Sequence, residues 1–275
     1  MKKICAALTA GLLLFATATF GAQTNLYTPP DCYADVESLP IYIISVRSAV
    51  LGEDGQVIKE ETGRGTVWLA DKNFWVTAAH VVDYGKNVTH TLIYLDTNLA
   101  LAANIVYVDE ERDVAILYAE SGDLEPINLM SETLLKQFEP LWNVGYPGIA
   151  GNTQVSFQGM TLRVDTGGHL VSTTLALPGM SGGPQFRCEG DELQAVGVIT
   201  SFTVGNAREK HYTLEDGTRV IERTVTNAGG SWSTPHVVNY ILSGMIARTE
   251  QLDKREAELA EEMKATQEAL DRISN

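Results

Sequence analysis

From Ile41 to about Thr200 the chain is written in short apolar runs rich in Val, Ile, Thr and aromatic residues, separated by Gly, Asp and Asn. Ile41–Val50, Thr66–Ala70, Phe74–Thr77, Leu99–Val108, Val114–Tyr118, Gln154–Arg163 and Ala195–Thr200 are the clearest. Many short strands at this spacing predict an all-β sandwich or barrels rather than alternating βα units. Glu53-Asp54-Gly55, between two runs, predicts a hairpin turn. Residues 23–40, with Pro29-Pro30 and Pro40, read as an N-terminal extension or surface strap. Within 206–233, Lys210–Leu214 and Thr218–Thr226 flank Glu215-Asp216-Gly217, the pattern of an inserted polar hairpin. It either overhangs a neighbouring cleft or decorates the surface.

The pattern changes near the C-terminus. Thr234-Pro235 predicts a helix N-cap followed by proline at the first helical position. Leu242, Thr249, Glu256, Met263 and Leu270 then recur every seven residues, and Met245, Leu252, Leu259, Thr266 and Ile273 do so offset by three. These are a and d positions of a coiled-coil heptad, diluted by two threonines and a glutamate. The helix over 234–275 either packs its first turns on the body and offers the rest to a second copy or partner, or stands alone in solvent. At the other end, Lys2 and Lys3 precede an apolar run from Ile4 to Phe15 and the small residues Ala16-Thr17-Ala18. Residues 1–22 therefore read as a secretory signal, cleaved after Ala18, Gly21 or Ala22. The alternative is a membrane anchor, for which the run is short of the roughly 20 residues a span needs.

Composition narrows the picture. A hydrophobic content of 44% suits a chain that buries a core, and 275 residues fit a two-barrel all-β unit with appendages. With 35 acidic against 20 basic side chains and a formal charge of −15, no basic footprint for nucleic acid is expected. Cys5 would leave with the signal. Cys32 and Cys188 remain as an even pair for an oxidising compartment, secreted or periplasmic. They either bridge, pinning the extension to the body, or stay as separate buried thiols.

Candidate chemistry lies in three segments. Pro178-Gly179-Met180-Ser181-Gly182-Gly183-Pro184 sets a serine among glycines able to take otherwise forbidden backbone angles. Thr77-Ala78-Ala79-His80-Val81-Val82 places a histidine after an apolar run, and Asp113-Val114-Ala115-Ile116-Leu117 places a carboxylate at the head of another. In the order His80, Asp113, Ser181 they resemble the trypsin-like serine proteases, and within them the bacterial HtrA-like branch. Gly63-Arg64-Gly65-Thr66-Val67, Phe74-Trp75-Val76-Thr77 and Asn143-Val144-Gly145-Tyr146-Pro147-Gly148 extend the resemblance over roughly 41–205.

The resemblance implies two six-stranded antiparallel β-barrels, trypsin-like, with a cleft between them and an appended C-terminal helix. It implies a protease domain over 41–233 and an exported endopeptidase acting on protein or peptide substrates, with no metal or cofactor and no membrane association after signal removal. Ser181 would be the nucleophile, His80 its base and Asp113 the orienting carboxylate. The N–H groups of Gly179 and Ser181 would form the oxyanion hole. Leu175 would floor the specificity pocket, with Ala176 beside it and Ser201, Phe202 and Thr203 as a wall. Lacking an acidic floor, such a pocket suits small to medium apolar side chains. HtrA-like enzymes commonly carry a PDZ domain, and too few residues follow the protease region here for one to be expected. Met180 departs from the pattern. Digestive members hold an aspartate there that pairs with an amine freed by zymogen cleavage, and methionine makes no such pair. That departure leaves a second reading open, a latent or silent protease-fold binding protein.

Overall fold

Val114-Ala115-Ile116-Leu117 shows how the strands are used. All four residues are buried, yet Ala115 and Leu117 face one cluster with Ile44, Val46, Leu69 and Trp75, while Val114 and Ile116 face another with Trp68, Val76 and Ile241. Successive side chains of a strand point to opposite faces. A continuous apolar run therefore marks a strand covered on both sides, here by a barrel interior and by the packing between its outside and the rest of the molecule. The structure, a computed structural model, describes residues 31–33, 36–51, 54, 56–82, 88–130, 135–164, 168–202, 207–213, 219–225 and 230–274. The signal segment, most of the 23–40 extension, Thr203 and the Glu53 to Gly55 turn (save Asp54) lie outside the described residues.

The first sheet contains β1 (Ile41–Leu51), β2 (Val57–Asp71), β3 (Phe74–Thr77), β4 (Val88–Tyr94), β5 (Ala100–Ala102), β6 (Asn104–Asp109) and β7 (Val114–Tyr118). Its order is β5-β4-β1-β2-β3-β7-β6, antiparallel wherever strands pair. The two edge strands, β5 and β6, are consecutive in the chain and separated only by Ala103, so one bent run joins both edges of a curled half-barrel. The second is a closed barrel of β8 (Pro140–Gly145), β9 (Val155–Val164), β10 (Leu170–Ser172), β11 (Pro184–Glu189), β12 (Glu192–Phe202) and β15 (Ser231–Pro235). Between β12 and β15, β13 (Ala207–Thr213) and β14 (Arg219–Val225) pair as a separate ribbon. A one-turn helix α1 (Ala79–Val82) follows β3, and a long helix α2 (Val237–Ser274) ends the fold. The arrangement is the expected trypsin-like pair with an appended helix, except that the first sheet curls without closing and has seven strands rather than six, because the run expected as one strand over 99–108 splits at Ala103 into β5 and β6.

Two boundaries differ from expectation. Thr234 and Pro235 are not the start of the helix: they end β15, which is needed to close the second barrel between β10 and β12. The helix begins at Val237, after His236 turns the chain at φ 62°. Its first three turns pack on the body. Val237 and Ile241 join the inter-barrel cluster, Gly244 lies so close to Ile116 that a Cβ would sit 2.6 Å from Ile116 Cγ2, and the Arg248 guanidinium lies 4.5 Å from the Tyr118 ring centre. From Thr249 to Glu268 every residue is exposed.

The N-terminal strap is tied to the second barrel. Cys32 and Cys188 are bridged, with Cα atoms 6.1 Å apart, a separation ordinary for a disulfide. Tyr33 stacks on Trp142 at 5.4 Å, and Gln154 Nε2 donates to the Val36 carbonyl. Burial pushes the Tyr33 phenol up to about 12.

Candidate active site

Thr77 ends β3, and His80 stands on the single turn α1 that follows. Its neighbours Val81 and Val82 are buried and fix that turn, leaving the imidazole exposed. Asp113 sits at the mouth of β7 with φ 55°, a left-handed conformation that aspartate tolerates better than most residues. Its carboxylate takes two bonds from one residue: the His80 backbone N–H donates to Oδ1 at 2.8 Å, and Nδ1 lies 2.7 Å from Oδ2. With Nδ1–H donated to the carboxylate, the neutral ring keeps its free lone pair on Nε2. The rival carboxylate Asp109 instead accepts from the Arg112 backbone N–H at 2.9 Å. No hydrogen bond joins Ser201 to Asp113 among the described residues.

Ser181 lies on the loop between β10 and β11, and that loop is held against the histidine turn. The Thr66 N–H donates to the Ser181 carbonyl at 2.8 Å. Gly182, at φ 87°, packs so closely that a Cβ would overlap Thr77 Oγ1 and Thr66 O and sit 2.8 Å from Ala78 N. Thr66 and Ala78 flank the path to His80, so the serine loop and the histidine turn share one packed seam.

Two peptide groups in this loop have fixed directions. The Gly148 N–H donates to the Pro178 carbonyl at 2.8 Å, and the Gly183 N–H donates to the Met180 carbonyl at 2.9 Å. In a planar trans peptide the C=O and the following N–H point opposite ways. Clamping Pro178 O therefore turns the Gly179 N–H away from Gly148, and clamping Met180 O turns the Ser181 N–H away from Gly183. Neither N–H has an acceptor among the described residues. Thr66 Oγ1 adds a further tie, donating to Gly179 O at 2.9 Å while accepting from the Tyr146 N–H at 3.0 Å.

Met180 explains how the loop is ordered without an ion pair. Its side chain is fully buried with Ala176 and Ile199, and Phe157, Leu177 and Phe202 pack around them. Burying such a side chain is worth about 1.5–3 kcal/mol. Gly145 makes room, since a Cβ there would stand 3.1 Å from Met180 Cα.

Of the expected pocket residues, Ala176 is buried, Leu175 and Phe202 are half-buried, Ser201 is exposed, and Thr203 lies outside the described residues. Beneath Leu175 runs a buried polar lattice that the sequence reading missed. Asn143 Nδ2 donates to Leu175 O at 3.1 Å and to Ser231 Oγ at 2.8 Å, and Gln185 Nε2 donates to Asn143 Oδ1 at 2.7 Å and to Ser172 Oγ at 3.2 Å. Ser233 Oγ closes the chain on Gln185 Oε1 at 2.7 Å. Asn143 inside the apolar run Leu141–Val144 was the available signal. Thr66 and Gly148 had none beyond their neighbours. Among the described residues no cluster suits a metal ion, and no helix is long and apolar enough to cross a membrane.

The trypsin-like peptidase domain family matches residues 63–198, which hold His80, Asp113 and Ser181. A curated relative, the probable periplasmic serine endoprotease DegP-like of Hahella chejuensis (strain KCTC 2396), is 25% identical over 224 residues. That match takes in 69% of this chain and 47% of the relative, so the chain spans about half the relative's length. Among solved structures, the serine endoprotease from Yersinia pestis aligns with a TM-score of 0.56 at 16% identity, covering 80% of this chain and 68% of that one. A protease from M. tuberculosis in its active form aligns at 0.50 and 19% identity, covering 74% and 79%. Residues 63–198 thus match the trypsin-like peptidase domain across all three motifs, the chain is similar to a DegP-like serine endoprotease, and its fold is that of a solved serine endoprotease.

Proposed function

We propose that the chain is an exported serine endopeptidase. The observation that carries the reading is the pairing of an imidazole held by carboxylate through Nδ1 with a serine loop whose two N–H donors are preset and unspent. His80 Nε2 takes the Ser181 hydroxyl proton as Oγ bonds to the scissile carbonyl carbon. Gly179 and Ser181 N–H groups stabilise the oxyanion, and Asp113 stabilises the imidazolium. The imidazolium then protonates the leaving amine as the C–N bond breaks. Water, deprotonated by the same His80, attacks the acyl-enzyme, and Ser181 leaves with the proton returned.

Leu175, Ala176 and Phe202 favour a small to medium apolar residue on the acyl side of the cut. Residues 41–235 carry the peptidase domain in this reading, residues 1–22 direct export, and the substrate is a protein or peptide. Purified protein treated with a fluorophosphonate probe should label, and Ser181→Ala should not. A folded wild type that stays unlabelled refutes the reading.

A further inference from the structure

The outer part of α2 is a helix face with nothing on it. Leu252, Leu259 and Met263 are exposed by 52%, 42% and 68%, and they line one stripe at the heptad spacing, with Glu256 and Thr266 in the same stripe. The exposed stretch is long, beginning where contact with the body ends at Arg248 and running at least to Glu268. We propose that its occupant is the same stretch of a second copy, lying antiparallel about a two-fold axis at the level of Glu261.

Orientation follows from the two polar positions. In a parallel, in-register pair each seam residue meets itself, so Glu256 would face Glu256 in a drying interface. Like charges so placed are strongly unfavourable unless one carboxylate is protonated. In the antiparallel pair a positions meet d positions. Leu259 then faces Met263, Glu256 faces Thr266, and Leu252 faces position 270, which the sequence fills with leucine. Both polar residues fall opposite each other, where the threonine hydroxyl can donate to the carboxylate. The threonine hydroxyl now spends its proton within its own helix, on Glu262 O, and a carboxylate is the stronger acceptor.

The same register sets how the two bodies lie. In this register Thr249 lies opposite position 273, an overlap of about 37 Å at 1.5 Å per residue. The bodies then sit at opposite ends of the pair without meeting. A parallel pair would bring both bodies to one end.

Charge sets the conditions. Residues 249–274 hold eight acidic and four basic side chains, and Glu262 would flank its own copy across the axis. Asp253 would face Gln267, a pair that can hydrogen-bond. The pairing should tighten as salt rises, the opposite of an association held by ion pairs. The inference holds whether or not Ser181 reacts, so its test and that of the peptidase reading fail separately.

The experiment uses the full chain. Light scattering should give a concentration-dependent dimer, favoured by salt, and Leu259→Asp should weaken it at least 100-fold with an unchanged melting temperature. In mixtures of Leu259→Cys and Met263→Cys chains, mild oxidation should link one to the other, and neither variant should link to itself through its new cysteine. Monomer up to about 100 µM in about 0.5 M salt, where charges are screened within a few ångströms, overturns the proposal. So does a dimer indifferent to Leu259→Asp, or Leu259→Cys chains that link to themselves.

Discussion

Gly148 is the residue on which the direction of the Gly179 N–H depends, and it can be edited cleanly. It opens a short 3₁₀ turn, Gly148–Ala150, after Pro147 at φ −66° and ψ 137°. Proline is well placed at a first helical position, and the extended Pro147 is the conformation required before proline. A Cβ at Gly148 would meet only Pro178 O, at 3.8 Å. Gly148→Ala therefore keeps the turn and the donor, whereas Gly148→Pro keeps the turn and loses the donor. The ring Cδ also takes the place of the hydrogen, so the Pro178 carbonyl, now 2.8 Å from the nitrogen, must move away. Loss of the bond alone, about 1 kcal/mol net, shifts the balance of peptide orientations roughly fivefold. In the proposed mechanism full reversal removes one oxyanion donor, which costs about 100- to 1000-fold in kcat. Gly148→Pro should thus lose between these limits in kcat/KM and in the rate of fluorophosphonate labelling, relative to Gly148→Ala. Both variants should melt within a few degrees of one another. Equal labelling and turnover in the two would show that the clamp on Pro178 does not govern the hole.

Other consequences are as direct. Met180→Ala should cost about 2–5 kcal/mol by the cavity left among Ala176, Ile199 and Phe202, and labelling should slow further because the same side chain orders the serine loop; denaturant melts and probe kinetics read the two effects. Asp113→Asn should leave the fold intact and lower kcat about 10,000-fold by fixing the wrong tautomer, which steady-state assay of a peptide substrate checks. Replacing Cys32 and Cys188 together by serine frees a loop of 156 residues and should cost about 2–5 kcal/mol, read by urea melts, with labelling at room temperature retained. Stability should also fall as pH rises from about 10 towards 12. There the unfolded chain releases the Tyr33 proton while the folded chain keeps it, a loss of at most about 3 kcal/mol for this group. Tyr42, Tyr146 and Tyr240 are raised in the same direction by burial, and melts across that range should steepen accordingly; Tyr33→Phe should flatten the curve.

Much of this was legible because strand periodicity and local motifs speak at short range. Phe74–Thr77 and Val114–Tyr118 were readable to the residue, since each is a compact apolar run bounded by polar turns. The run read as Leu99–Val108 proved to be two strands bent at Ala103, a bend that carries the chain from one edge of the curled first sheet to the other rather than one marked by any local breaker. Thr234-Pro235 misled for a related reason. Locally it has the chemistry of a helix start, but a strand partner supplied by β10 and β12 outweighed that preference, as tertiary context commonly does. The same limit hid Thr66 and Gly148. Their roles come from the Thr66 hydroxyl and the Gly148 N–H meeting carbonyls 113 and 30 positions away, and nothing in either residue's neighbourhood announces those meetings.

The burial of Met180 changes what kind of device the serine loop is. A loop ordered by a carboxylate and a newly freed amine is off until a cut supplies the amine, and it titrates with that amine. A thioether buried beside Ala176 and Ile199 needs neither event. It forms with the fold, carries no charge to titrate, and is sealed by the glycines at 145 and 183, where side chains would collide with Met180 or with Val144 O. Order in the peptides at Gly179 and Ser181 is then continuous with stability of the second barrel. The Cys32–Cys188 bridge, the Tyr33–Trp142 stack and the polar lattice on Asn143 all tighten that same barrel. Loss of activity on heating should therefore track unfolding of the second barrel, rather than precede it as a separate, reversible switching off of the loop.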